Sequence, residues 1–355
     1  MSETRTLLRL GALALMWGSS FLWIKLALGA FTPVQLVFGR LVLGTLVLVA
    51  LCYAQRDRLP SNRRVWLHLA VAALFHNAVP FLLFAVGEQT VDSGITGVLN
   101  ATTPLWTLLA AIVFGVDRRL PRQRIAGLAA GLGGIVLIFA PWQANGLVSW
   151  GALACVAAAV SYGFVFVYEN KYLADGGSSP VALAGAQMMA GSGFILLAMP
   201  AGGIAPVHLS ATAVVAVVML GVFSTGIAFA LNYRLLATEG AVATSTVGYL
   251  LPVVSVLLGT VFLHEELNAR VLVGMVIVLA GVALTRVRHA RKPNSHAQKP
   301  QLALAQTSTR ARVEPNSRGV RQGGGPKPSG TARSGWTAAS CAGRSTRASR
   351  PSSPR

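Results

Sequence analysis

Two ionisable side chains of this sequence, Arg40 and His76, stand well inside apolar runs, and a third, Glu169, stands near the end of one. A guanidinium at such a place can hold a carboxylate through two parallel hydrogen bonds. An imidazole ordinarily changes charge between about pH 5 and 8, which makes His76 the best candidate for carrying a proton. Glu169 can relay one. Uncharged polar groups accompany them. Asn77 follows His76, Gln187 sits in a later apolar run, and Thr96, Asn100, Thr103 and Thr107 recur at spacings of four, three and four. On a helix those spacings share one face. Trp17, Tyr162 and Tyr249 offer rings, and Ser20 and Ser224 offer hydroxyls. Such a set suits reversible binding of a small polar or amphipathic molecule and movement of a proton.

Each residue also has a plainer reading, and both stay open at this point. Arg40 lies about 10 Å along its helix from the start of its run, where it can hold a ligand or snorkel to the surface. His76 stands four residues before Pro80, and proline frees a backbone carbonyl there; the kink suits a binding or proton site, or only an interhelical hydrogen bond. The Asn100 and Thr103 stripe lines a cavity or lets helices approach closely. Trp17, Tyr162 and Tyr249 are cavity walls or core. Glu169 relays protons or pairs with Lys171. Lys25 near the end of its run snorkels, and Gly127, Gly131 and Gly134 form a packing face.

No bond-making constellation accompanies these groups. The five lysines, Lys25, Lys171, Lys292, Lys299 and Lys327, are followed by Leu, Tyr or Pro, so no phosphate loop ending in Lys-Ser or Lys-Thr exists. His264-Glu265 matches the opening of a zinc-protease motif, but position 268 is Asn, so no metal pair forms one helical turn apart. Cys52, Cys155 and Cys341 are too scattered for a disulfide framework or a metal knuckle. An enzyme, a cofactor and a metal are not expected.

The elements that must hold this set are legible in composition. Of the 355 residues 54% are hydrophobic and 12% charged, about half the charge of a soluble domain, and mean hydropathy is +0.60. Ten apolar runs, at about 7–28, 33–54, 65–86, 93–115, 124–140, 148–170, 180–200, 209–233, 241–263 and 269–285, approach the ~20 residues that cross a bilayer core. Backbone in lipid must satisfy its own hydrogen bonds, so these are helices. The first run is long and lacks a small-residue cleavage site, so it reads as a helix rather than a signal peptide. Connections after the second and fourth runs carry Arg56, Arg58, Arg63 and Arg64, then Arg118, Arg119, Arg122 and Arg124. Those at 29–32, 87–92, 141–147, 201–208 and 264–268 carry no Lys or Arg. Basic loops face the cytoplasm, which places both termini there.

The net charge of +19 is concentrated in the last seventy residues, where fifteen Lys or Arg meet Glu314 alone. That stretch is rich in Arg, Ser, Gly and Pro and reads as disordered. It touches anionic headgroups, or is a read-through extension without a role. No nucleic-acid motif accompanies it, and no nucleic-acid partner is expected.

The two halves repeat at an offset near 146. Trp17-Gly18 and Phe21 fall on Tyr162-Gly163 and Phe166; Pro33, Leu36, Arg40 and Gly44 fall on Pro180, Leu183, Gln187 and Gly191. Pro104 matches Pro252, Leu120 matches Leu267, Gly127 matches Gly274, and Gly134 matches Gly281. His76-Asn77 falls near Phe223-Ser224-Thr225. With five runs per half, the second half enters from the opposite side, giving an inverted repeat with its binding site near the midplane.

The stretches WGSSFLWIK, TPVQLVFGRLVLG, PVALAGAQMMAGSG and LLPVVSVLLGTVFLHEELNARVLVGMVIVLAGVAL resemble the EamA family of the drug/metabolite transporter superfamily over residues 7–286. One departure is the acidic residue after the fourth span, which appears as Asp117 or is displaced by Arg118. The resemblance implies an all-α integral membrane fold of ten transmembrane helices in two inverted five-helix repeats, here 1–140 and 141–286, with a cytoplasmic tail at 287–355. It implies movement of a small metabolite across the inner membrane, amino acids or related compounds leading, as an exporter by alternating access. An uptake permease and a non-transporting scaffold or sensor are the alternatives. Arg40 and Gln187 would then orient the cargo, Asn77, Asn100, Thr103 and Ser224 supply hydrogen bonds, Trp17, Tyr162 and Tyr249 form walls, and His76 and Glu169 serve proton coupling. The expected partners are that cargo, the lipid bilayer and a coupling proton, in a monomer or homodimer.

Overall fold

A computed structural model describes residues 3–116, 121–140, 149–173, 178–245, 247–266 and 268–286. The basic tail, the Asp117–Arg118 comparison, the Leu120–Leu267 match and the 141–147 connection lie outside the described residues. Everything regular among those described is helix: α1 Glu3–Gly18, α2 Ser20–Ala27, α3 Pro33–Ala54, α4 Arg63–Ala73, α5 Val79–Gly87, α6 Ser93–Asn100 and α7 Thr103–Val113 form the first part. Then follow α8 Arg122–Phe139, α9 Trp150–Tyr172, α10 Pro180–Ala198, α11 Ala211–Val218, α12 Ala228–Ser245, α13 Val247–Leu263 and α14 Ala269–Arg286. Eight continuous or nearly continuous runs are long and apolar enough to cross a membrane, from Thr4–Ala27 to Ala211–Leu235, and the shorter Val247–Leu263 and Ala269–Thr285 are apolar as well. The protein is multi-pass. The ninth run differs from the sequence expectation of 241–263. With no proline between 235 and 246 to stop it, α12 continues to Ser245, and the ninth helix begins only at Val247.

Helix starts follow from local chemistry. Thr32 precedes Pro33, accepts from the Gln35 amide, and receives the Gln35 side chain on its own N–H, a reciprocal capping box. Ser179 precedes Pro180 in the same way and accepts from Ala182 N–H. Ser149 and Ser210 cap α9 and α11.

Two spans contain π-helical turns, Leu74–Ala78 between α4 and α5, and Met219–Ile227 between α11 and α12. Pro80 has no N–H to offer His76, and the Val79 N–H reaches back to Leu74 O instead. The Phe75 carbonyl that this leaves over accepts from Ser161 Oγ of α9 at 2.6 Å. The fourth span breaks at Ala101–Thr102, between α6 and α7, two residues before Pro104. Thr103 Oγ1 covers the released Asn100 carbonyl at 2.7 Å.

Glycines set the closest approaches. A Cβ on Gly127 of α8 would stand 2.6 Å from Gly281 O of α14, and one on Gly274 of α14 would stand 3.1 Å from Gly134 O of α8. Gly44 of α3 faces Thr225, and Gly191 of α10 faces Asn77. The expected face of Gly127, Gly131 and Gly134 is thus a packing face, with Gly127 and Gly134 against α14 and Gly131 against Leu105 of α7.

The bundle has two distinguishable ends. At the arginine-rich end Leu59, Trp66, Leu69 and Leu173 pack together, and His68 Nδ1 meets the Tyr168 hydroxyl at 2.7 Å. At the far end Lys25 Nζ donates to Glu88 O at 2.7 Å and Val91 O at 2.9 Å. Beside it Glu265 accepts from the Ser93 and Gly94 amides at 2.7 and 3.0 Å, neutralising the positive end of α6. Lys25 therefore does not reach outward; it clamps main-chain carbonyls.

Candidate functional site

A cavity of about 470 Å³ runs through the middle of the bundle, within the size range of small-molecule sites. The kinked and broken spans build most of its wall. Span 1 supplies Trp17, Ser20 and Ile24, α3 supplies Arg40, and the third span supplies His76, Phe81 and Phe84. The break in the fourth span places Asn100, Thr103 and Pro104 on the wall, and α9 adds Tyr162, Phe166 and Glu169. Phe229, Asn232, Tyr233 and Thr244 of α12 and Gly248 and Tyr249 of α13 complete it.

Of the residues singled out in the sequence, Trp17, Arg40, His76, Asn100, Thr103, Tyr162, Glu169 and Tyr249 are brought together here. Asn77, Gln187 and Ser224 are buried and do not line the cavity. Adjacent residues on a helix point about 100° apart, so with His76 facing the cavity Asn77 faces α10. There it meets Met188 Sδ at 3.3 Å and accepts from Gln187 Nε2 at 3.0 Å. Ser224 is turned away by the same geometry, and its neighbour Thr225 makes the contact to the site. These three therefore stand behind the wall rather than on it.

The ionisable side chains form two groups. Near the arginine-rich end His76 Nδ1 and Glu169 Oε1 stand 2.7 Å apart, both partly buried. Gln187 Nε2 donates to the same Glu169 oxygen at 3.1 Å as well as to Asn77. The pairing of Glu169 with Lys171 does not occur: residues two apart do not face each other on a helix, and Lys171 lies over the Tyr172 ring. Tyr162, Phe166 and Phe229 surround the imidazole, with ring centroids 5.4, 5.2 and 6.1 Å away.

Nearer the far end Arg40 is 6% exposed. Its Nε donates to Thr225 Oγ1 at 2.9 Å, and its guanidinium carbon lies 3.7 Å from the Phe81 ring centroid. Arg40 therefore does not snorkel. Just beyond it Glu88 is fully buried, with neither carboxyl oxygen hydrogen-bonded among the described residues. Burial pushes the Glu88 carboxyl well above the ordinary carboxylate range, against the pull of Lys25. Asp92 moves the same way, by burial and then by Glu265.

Phe81, Phe84, Phe229, Asn232 and Tyr233 escaped the sequence reading. Phe81 and Phe84 follow Pro80 at helical spacing, a signal that the π-helical turn re-aims; Asn232 and Tyr233 carried no signal distinguishable from an ordinary span. Among the described residues no group of three metal-ligating side chains occurs.

Comparison with known proteins adds to this geometry. The model of the EamA-like transporter family matches residues 6–140 and again residues 149–287. An uncharacterized inner membrane transporter of Escherichia coli K12, YedA, is 31% identical over 278 residues, covering 77% of this chain and 88% of its own. An uncharacterized transporter of Archaeoglobus fulgidus is 26% identical over 268 residues, 75% of this chain and 93% of its own. One solved crystal structure superposes with a TM-score of 0.57 at 22% identity, over 80% of this chain and 98% of the other. At that identity the likeness speaks to the fold.

Proposed function

The chain belongs to the EamA-like transporter family, and from that premise we propose that it is a secondary transporter of a small amphipathic metabolite. The observation that carries this is the cavity: walled by broken and kinked spans, lined by rings and scattered hydroxyl and amide groups, with Arg40 and the His76–Glu169 pair as its ionisable groups. Discontinuous helices at membrane depth are where transporters place their sites. Amino acids or related compounds are the cargo class suggested by the family resemblance, and export from the cytoplasm across the inner membrane is the direction we favour.

We read the two halves as an inverted repeat. Arg40 contacts Thr225, and its repeat mate Gln187 contacts Asn77, the approximate mate of Thr225. Gly127 against Gly281 is mirrored by Gly274 against Gly134. Both π-helical turns fall in corresponding spans. In this reading the arginine-rich end is cytoplasmic, and the Lys25 and Glu265 ties close the far end. Alternating access then consists of breaking those ties while the two halves close the other end around the cargo.

In the working site Arg40 holds the cargo while Trp17, Tyr162 and Tyr249 enclose it, and Asn100 and Thr103 offer hydrogen bonds. Gln187 and Asn77 hold Glu169 in place, as Thr225 holds Arg40. His76 takes up and releases the coupling proton against Glu169, a carboxylate already fixed for it.

The test is to overexpress the parent, Arg40→Ala and Asn100→Leu in cells and profile metabolites inside and outside by mass spectrometry. Enrichment outside with the parent, lost in both variants, is expected. Depletion from the medium would reverse the direction. Unchanged flux in both variants would remove these residues from the pathway.

A further inference from the structure

The cargo can be narrowed from the charge balance of the cavity, an inference that rests on the transport reading. Arg40 is the only Lys or Arg on the wall among the described residues. A guanidinium carries five N–H donors. Among the described residues its one hydrogen bond is from Nε to Thr225, and one face is covered by Phe81. The terminal nitrogens have no partner there, and the side chain borders the cavity.

No ionised carboxylate neutralises it. Glu169 is engaged by His76 and Gln187. Glu265 is spent on the two amides at the start of α6. Glu88 makes no hydrogen bond, and its burial favours the neutral form. A buried cation left without a counter-charge is costly, and here the guanidinium borders a cavity walled by Trp17, Phe84 and Tyr162.

We propose that the cavity takes an amphipathic organic monoanion, a carboxylate on an apolar or aromatic body, with the carboxylate in bidentate contact with Arg40 and the body among the rings. A zwitterionic amino acid fits less well. Its ammonium would lie within a few ångströms of its carboxylate, where the wall offers no ionised acceptor. Glu169 is the one wall carboxylate, three residues from the end of α9. It contacts His76 while Arg40 contacts Phe81, residues about 7 Å apart along the third span, so Glu169 is more than a helical turn away from Arg40 and is already paired.

The test uses the full chain in detergent and four probes with one ring and one linker: 3-phenylpropionate, 3-phenylpropanol, 3-phenylpropylamine and phenylalanine. Binding is read by tryptophan fluorescence, Trp17 being on the wall. The anion is expected to bind about tenfold or more tighter than the other three, as one charge-assisted bidentate contact would give. Arg40→Gln should remove that advantage and Arg40→Lys keep part of it. The parent panel stands even where Arg40→Gln fails to fold. Equal or tighter binding of phenylalanine or the amine, no binding of the anion, or an unchanged preference in folded Arg40→Gln would overturn the proposal. Flux in reconstituted vesicles separates the two readings. Transport of phenylalanine without binding of the anion overturns the monoanion alone. Anion binding with no flux of any probe supports the anion site and overturns transport.

Discussion

His76 and Glu169 show how one residue contact decides chemistry. The pair is held by Gln187 from α10 and ringed by aromatic side chains, so in the proposed coupling a proton exchanged there would change the charge of the cavity wall directly. Glu169→Gln and His76→Gln are each expected to abolish the response of flux to an imposed proton gradient while leaving anion binding at Arg40 within about a few-fold of the parent. A retained response in both would remove the pair from coupling. Glu88 gives a second prediction, in stability. Burial raises its pKa in the fold above the unfolded value, so the native state binds a proton that the unfolded chain lacks. Stability is then greatest below the unfolded value and falls as pH rises through the folded one. Thermal unfolding of Glu88→Gln should show a shallower decline from about pH 4.5 upward and a higher midpoint than the parent at pH 8. Much at this scale was legible. Arg40, His76 and Asn100 stood out because a polar group in an apolar run is expensive. What stayed hidden was orientation: nothing in the order His76-Asn77 says which member turns to the cavity, nor in Ser224-Thr225 which one meets Arg40.

Among the elements, glycine contacts divide those that carry the site from those that brace it. Apart from Val282, α14 adds nothing to the wall, and α8 adds nothing; their contact is backbone against backbone at Gly127 and Gly281. Gly281→Ala puts a Cβ 2.6 Å from Gly131 N and 2.7 Å from Gly127 O, and overpacking of this kind costs about 1–3 kcal/mol. Gly133→Ala, with nothing within 4 Å, should raise the thermal midpoint slightly, by the roughly 0.5–1 kcal/mol of helix propensity alone, so the difference between the two variants measures the contact. The helices and nearly all their limits could be read from hydropathy and from Ser/Thr-Pro starts such as Thr32-Pro33 and Ser179-Pro180. The π-helical turns could not. Pro80 hints at the first, but Met219–Ile227 contains no proline, and only packing against α3 gives that turn a reason.

For the whole molecule the decisive question is which end lets cargo pass. The ties of Lys25 and Glu265 join span 1, the 88–94 stretch and the segment after α13 at one end. Lys25→Met or Glu265→Ala should raise labelling of Ile24→Cys by an impermeant thiol reagent added from that side, since Ile24 lies on the wall just inside; unchanged labelling would mean that closure resides elsewhere. Removal of residues 290–355 should leave flux intact, whereas a scaffold working through that tail would lose its activity. The ties have one more property. Their partners are main-chain carbonyls and amides of residues 88, 91, 93 and 94, and a main chain offers the same atoms whatever side chains it bears. In the proposed closure two side chains act on a backbone, so the exposed positions of the stretch, Gln89, Thr90 and Asp92, can change their side chains without touching the ties, while Lys25 and Glu265 cannot.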